Sequence, residues 1–161
     1  MTAVTGSLVI WSDAREGDFD VYAMDLQTGQ EIQVCTAPGL QNHPDVDGDF
    51  IVWSDQRRFV PSLAPYVSHI SGYDATTGQE FLIAEDTGDV HHVKPAVSGD
   101  IVVRVDLTPA GNDIMGYDVS TRETFLIHGG GSCRPSRPTT TRRMHYTSTP
   151  PHQPDGGLKT G

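Results

Sequence analysis

One stretch of eleven residues occurs three times in this sequence and decides the fold. It is AVTGSLVIWSD at residues 3–13, DVDGDFIVWSD at residues 45–55 and AVSGDIVVRVD at residues 96–106. A segment that recurs along a chain indicates one structural unit used several times. The sequence is therefore built from three copies of one unit.

The second half of the unit recurs as well. It is DLQTGQE at residues 25–31, DATTGQE at 74–80 and, more loosely, DVSTRE at 118–123. The copies lie 42 and then 51 residues apart, and the additional residues of the middle unit fall between the matching segments. The matching segments are therefore predicted to be structural elements and the intervals between them to be loops.

Each unit is predicted to form four short strands. The second strands Leu8–Trp11, Phe50–Trp53 and Ile101–Val103 are continuously apolar, which predicts burial on both faces. The Gly-Ser or Gly-Asp pair before each of them suits a two-residue hairpin loop. The fourth strands, such as Ile32–Thr36, are half-polar, which is typical of an outer edge.

The third strand of each unit ends at an aspartate: Asp25, Asp74 and Asp118. An aspartate here can accept hydrogen bonds from the backbone of its own turn, and the glycine that follows in the first two units accepts positive φ. We therefore interpret these aspartates as turn caps and not as paired catalytic carboxylates. Arg122 replaces the glycine in the third unit, where a left-handed backbone costs an arginine roughly 1 kcal/mol.

These features predict an all-β protein, a β-propeller fragment of three four-stranded antiparallel blades plus a disordered C-terminal tail. The predicted blades cover about residues 1–42, 43–93 and 94–130, and the basic, Pro/Thr-rich tail covers residues 131–161. Propellers close with about four to eight blades. We therefore expect a part of a longer propeller, or self-association through the two open blade faces.

The stretch Trp11–Gly29 resembles a known repeat. Its pattern, Trp-Ser-Asp-x-Arg-x-Gly-x-x-Asp-Val-Tyr-x-x-Asp-Leu-x-Thr-Gly, is similar to the TolB-like propeller repeats of bacterial and archaeal envelope and surface proteins. The resemblance covers about residues 1–130 and is weaker at the Arg57–Tyr66 insertion, at Arg104 and at Arg122. It implies a propeller that binds proteins or envelope components, usually without catalysis, in the cell envelope or outside the cell.

Composition excludes some classes of partner. The net charge is −10, whereas nucleic-acid binding needs clustered Lys and Arg. No apolar run has the length of a membrane span, and no basic-then-apolar signal peptide begins the chain. Cys35 and Cys133 lie in unlike surroundings, so that neither a disulfide framework nor a metal knuckle is indicated.

An acidic cluster in the first unit is a candidate for Ca²⁺, which takes several oxygen ligands from one loop. It consists of Asp13, Glu16, Asp18 and Asp20. The spacing is not that of an EF-hand loop. Asp13 and Asp20 also recur as repeat positions, so we favour turn and strand-end capping over metal binding.

Three histidines are weak candidates for metal ligands. His91 and His92 are adjacent, and His43, which we align with Val93, precedes the next inner strand in the same way. Neighbouring residues of a strand face opposite sides, so His91 and His92 cannot easily share an ion. Manganese-dependent lyases on TolB-like propellers use histidines, but plain loop histidines remain our expectation.

We therefore predict a non-catalytic propeller segment for protein or cell-envelope binding and scaffolding, with no catalytic, cofactor-binding or metal residues and no cofactor. Its partner would be a protein or an envelope glycan. The alternative is a fragment of a propeller enzyme, either a metal-dependent polysaccharide lyase or the accessory propeller of a peptidase. A third alternative is a truncated reading frame without a function of its own. A convergent group of polar side chains at the mouth of the channel would favour the enzyme.

Overall fold

The computed structural model describes residues 1–57 and 67–130, and these contain twelve β-strands and no helix. The strands are β1 (Thr2–Thr5), β2 (Leu8–Asp13), β3 (Asp20–Asp25), β4 (Gln30–Cys35), β5 (Gln41–Asp47), β6 (Phe50–Asp55), β7 (His69–Asp74), β8 (Gln79–Ala84), β9 (His91–Ser98), β10 (Ile101–Thr108), β11 (Gly111–Asp118) and β12 (Glu123–His128). The predicted disordered tail, with Cys133, and most of the predicted insertion lie outside the described residues.

Consecutive strands form three antiparallel sheets of four, each in chain order: β1–β4, β5–β8 and β9–β12. We call them blades 1, 2 and 3. No strand of one sheet pairs with a strand of another in the described part of the chain. The prediction of three four-stranded antiparallel blades from the repeat is confirmed.

The blades stack face to face, and their first strands β1, β5 and β9 lie side by side. The centre of the stack is β6, which is buried on both sides as predicted. Ile51 and Trp53 pack against blade 1, while Val52, between them in sequence, packs against blade 3. Alternate residues of one apolar strand thus supply two separate inter-blade cores.

The outer face of blade 1 is uncovered. Val4 is 64% exposed, whereas Val46 and Val97, at the same repeat position in β5 and β9, are 6% and 8% exposed. The preceding blade covers Val46 and Val97. No blade of the described chain covers Val4.

No blade of residues 1–57 and 67–130 covers the outer face of blade 3, on the opposite side of the stack. Ile127 is 51% exposed, whereas Val34 and Ile83, at the same position in β4 and β8, are each 7% exposed. Val34 and Ile83 belong to the cores that the following blade closes. The described chain therefore shows the two halves of an inter-blade interface, one at each end.

The predicted turn caps are present in all three blades. The Asp25 carboxylate accepts a hydrogen bond from the backbone N–H of Gln27 at 2.8 Å, and Asp74 and Asp118 accept the equivalent bonds. Arg122 has a φ of 60°, and its N–H donates to the Asp118 carbonyl at 2.7 Å. Blade 3 therefore keeps the turn of the other blades with an arginine in the glycine position.

Candidate functional site

A four-residue ion-pair motif lies at one end of the second strand in blade 2. The Trp53 indole N–H donates to Asp55 at 3.2 Å, and the Arg57 guanidinium lies 2.6 Å from Asp55 and 2.6 Å from Glu80. The Ser71 hydroxyl adds a bond to Asp55 at 2.9 Å. Burial raises the pKa of Asp55, but the bonds from Arg57 and Ser71 outweigh it and hold that pKa below the ordinary value.

Blade 1 carries the same motif in the same arrangement. The Trp11 indole donates to Asp13 at 2.9 Å, and Arg15 lies 2.6 Å from Asp13 and 2.7 Å from Glu31. The guanidinium carbon of Arg15 lies 4.0 Å from the centre of the Tyr22 ring, which is fully buried. The edge of this guanidinium binds carboxylates while its face covers an aromatic ring.

Blade 2 has Ser71 at the position of Tyr22. Both residues pair across the sheet with the tryptophan of their blade. A cleft of about 140 Å³ opens in blade 2 at this place. It is lined by Asp55, Arg57, His69, Ser71, Glu80 and Leu82.

Blade 3 replaces the tryptophan by Arg104. Its guanidinium donates to Asp106 at 2.8 Å, and His92 Nδ1 lies 2.6 Å from the same carboxylate. Burial opposes ionisation of Asp106, but His92 and Arg104 hold its pKa below the ordinary value. Arg104 is 6% exposed and lies on the face of β10 that Val102 turns to blade 2. Arg104 therefore faces blade 2 and not the open face of blade 3.

His91 and His92 bind different carboxylates, as their opposite orientations predict. His91 Nδ1 lies 2.8 Å from Asp86, which also accepts the backbone N–H of Ser68 at 2.8 Å. Both histidines belong to β9, and His43 belongs to β5. The expectation of loop histidines is therefore wrong, because the inner strands begin earlier than predicted.

His43 stands apart from this pair. The structure aligns it with Lys94 and not with Val93, since both residues precede a proline at a β-bulge and have φ near 50° (53° and 52°). Burial, and then the charge of Lys94, lowers the pKa of His43. Within residues 1–57 and 67–130, no group of three or more His, Cys, Asp or Glu side chains is placed to hold a metal ion.

The acidic cluster of blade 1 is spread over separate roles. Asp13 binds Arg15, and Asp18 accepts the N–H of Gly39 at 3.3 Å. Asp20 is 4% exposed, and burial together with the nearby charges of Asp18 and Glu16 raises its pKa. Asp13 is thus engaged in an ion pair and Asp18 in a backbone hydrogen bond.

Two features were not predicted from the sequence: the Arg104–Asp106–His92 cluster and the cleft at Ser71. Both follow from substitutions inside the repeat, Arg for Trp and Ser for Tyr. The signal was present in the alignment of the three units. The structural effect of each substitution depends on which face of the blade the position occupies.

Comparison with known proteins gives the fold. The sequence matches no model of a known protein family and no curated protein sequence. Among solved structures, a putative TolB from Agrobacterium tumefaciens is 20% identical over 78% of this chain and 48% of its own, with a TM-score of 0.56. A nidogen/laminin complex matches at 16% identity, 78% and 46% coverage and a TM-score of 0.55.

The β-propeller domain of the Trilobed protease from Pyrococcus furiosus also matches. It is 14% identical over 78% of this chain and 42% of its own, with a TM-score of 0.53. This chain thus spans less than half the length of these structures. No helix of the described residues is long and apolar enough to cross a membrane. At such identities the likeness concerns the fold alone, and the chain shares the fold of a TolB-like β-propeller segment.

Proposed function

We propose that this chain is a non-catalytic propeller segment for protein or cell-envelope binding and scaffolding, and that it assembles through its open blade faces. The observation that carries the proposal is the pair of uncovered surfaces, at Val4 on blade 1 and at Ile127 on blade 3. Blades 1 and 2, and again blades 2 and 3, bury these same positions against each other. The matching structures support a protein partner, since one of them is a complex of nidogen with laminin.

The polar side chains around Arg57 in blade 2 and around Asp106 in blade 3 favour binding over catalysis. Arg57 is engaged by Asp55 and Glu80, and Asp106 is engaged by His92 and Arg104. The cleft beside Arg57 measures about 140 Å³, whereas small-molecule sites typically measure about 300–1,000 Å³. A space of this size suits one side chain of a partner better than a substrate.

A second copy of the chain fits the open faces. Blade 3 of one copy would cover blade 1 of the other in the way that blade 1 covers blade 2 within the chain, and two copies would supply six blades. Burial of an apolar side chain contributes roughly 1.5–3 kcal/mol, so several such residues oppose the repulsion from a net charge of −10. That repulsion is also screened at physiological salt.

Light scattering at micromolar concentration tests the assembly. We expect a dimer for the full chain, and monomers for Val4→Glu and Ile127→Glu, which place a charge in the proposed interface. Leu26→Glu is the matched control, because Leu26 is 60% exposed in the turn after β3. A folded, monomeric wild-type chain that binds no hydrophobic dye would contradict the proposal.

A further inference from the structure

The cleft of blade 2 occupies the place that an aromatic ring fills in blade 1. Tyr22 and Ser71 have the same position in the repeat, each opposite the tryptophan of its blade. The guanidinium above this position is held in the same way in both blades, by an aspartate two residues before it and a glutamate of the fourth strand. Replacing Tyr by Ser therefore removes the ring and keeps the guanidinium with its two carboxylate partners.

The size of the cleft agrees with this equivalence. It measures about 140 Å³, and a cavity of about 150 Å³ in a protein interior holds one benzene molecule. Leu82 lies at its rim and is 50% exposed. The cleft thus has the volume of one six-membered ring and an apolar side chain beside its entrance.

The charges in the cleft favour an uncharged ring over an ion. Arg57 already pairs with Asp55 and Glu80, so that an incoming anion would meet two carboxylates and an incoming cation would meet Arg57. These bonds engage Nε and Nη2 of the guanidinium. Its face can still cover a π-system, as the face of Arg15 covers Tyr22 at 4.0 Å.

We propose that this cleft binds an aromatic side chain, phenylalanine or tyrosine, presented by a protein partner. The ring would lie beneath Arg57, next to Ser71 and Leu82, as Tyr22 lies beneath Arg15. This inference rests on the proposed protein-binding function. It adds the chemical class of the residue that the site recognises.

Titration of the full chain with N-acetyl-L-tyrosinamide, followed by NMR, tests the inference. We expect saturable shifts of the amide signals of Arg57, Ser71 and Leu82 at millimolar probe. N-acetyl-L-leucinamide is the matched control probe, because it has similar apolar bulk but no ring. Equal shifts with both probes, or no saturable shift with the tyrosine probe, would overturn the proposal.

Two pairs of variants make the test specific. Ser71→Tyr fills the cleft from within and should abolish the shifts, whereas Ser71→Ala keeps the space and should preserve them. Tyr22→Ser opens the equivalent space in blade 1 and should produce new shifts at Arg15, which gives a readout even if Ser71→Tyr does not fold. Binding retained by a folded Ser71→Tyr variant would contradict the inference.

The result of the probe titration can be distinguished from the result of the light-scattering test of assembly. A monomeric chain that still binds the tyrosine probe would contradict the proposed assembly and would support the proposed cleft. An assembled chain that shows no probe binding would contradict the cleft alone.

Discussion

At the scale of the residue, Arg122 is held in a conformation that suits glycine. Its φ of 60° matches the 71° of Gly29 and Gly78 at the same turn. We expect Arg122→Gly to raise the free energy of unfolding by up to about 1 kcal/mol, because the left-handed region costs a residue with a Cβ atom about 1–2 kcal/mol and added freedom of the unfolded chain offsets part of the gain. Urea unfolding measures the change.

The matched control is Gly29→Ala, which introduces the same strain in blade 1. A Cβ atom at Gly29 would meet no heavy atom within 4 Å, so its cost is conformational alone. We expect this variant to lose stability. A stability gain there, or a loss for Arg122→Gly, would show that the turn is not strained.

A buried carboxylate at the junction of blades 2 and 3 gives the second residue-scale prediction. Asp106 neutralises Arg104 and bonds His92, and breaking a buried ion pair costs about 3–5 kcal/mol because a charge remains unpaired. We expect Asp106→Asn to lose stability of this order. Asp13→Asn, in the more exposed copy of the motif, should lose less. Equal losses in urea unfolding would contradict this difference in burial.

The same carboxylate makes stability depend on pH. The pKa of Asp106 is lowered from 3.8 in the folded chain, so its contribution is present above that value and is lost as the pH falls below it. We expect the wild-type chain to lose stability progressively below about pH 4, and Asp106→Asn to lose less over the same range. Asp55 and Asp86 act in the same direction.

At the scale of the element, the second strands show that the same sequence pattern contributes differently to stability in different blades. Trp53 is fully buried in β6, between two blades, whereas Trp11 in β2 is partly exposed. We expect Trp53→Ala to cost about 3–5 kcal/mol and Trp11→Ala clearly less in a dilute, unassembled sample. Urea midpoints of the two variants provide the comparison. Similar costs would mean that Trp11 is covered in solution.

These strands also show what the sequence could predict. The apolar runs and the Asp-x-x-Thr-Gly turns are local signals, and they were sufficient for the twelve strands and the caps. No local sequence signal determines the side of the blade that Arg104 faces, because that side depends on the register of β10 and on the stacking of the next sheet. The cleft at Ser71 depends on the same stacking, and for that reason it was missed.

At the scale of the whole molecule, the repeat predicts three blades, of which the middle one is more enclosed than the two end ones. Among the described residues, the middle blade has neighbours on both sides, while blades 1 and 3 each have one. Equivalent positions such as Val4 and Val46 therefore differ in burial at the ends of the stack. The proposed assembly rests on this difference between Val4 or Ile127 and their counterparts.

The chain-order pairing of every sheet also governs how the molecule can form. Since each described blade is made of four strands adjacent in the chain, its pairings close short loops, and we expect each blade to form its hairpins before it contacts the next blade. We expect docking of the blades to follow. We expect unfolding to begin in the outer blades and to reach blade 2 last. The amide hydrogens of β6 should then exchange more slowly than those of β2 or β10.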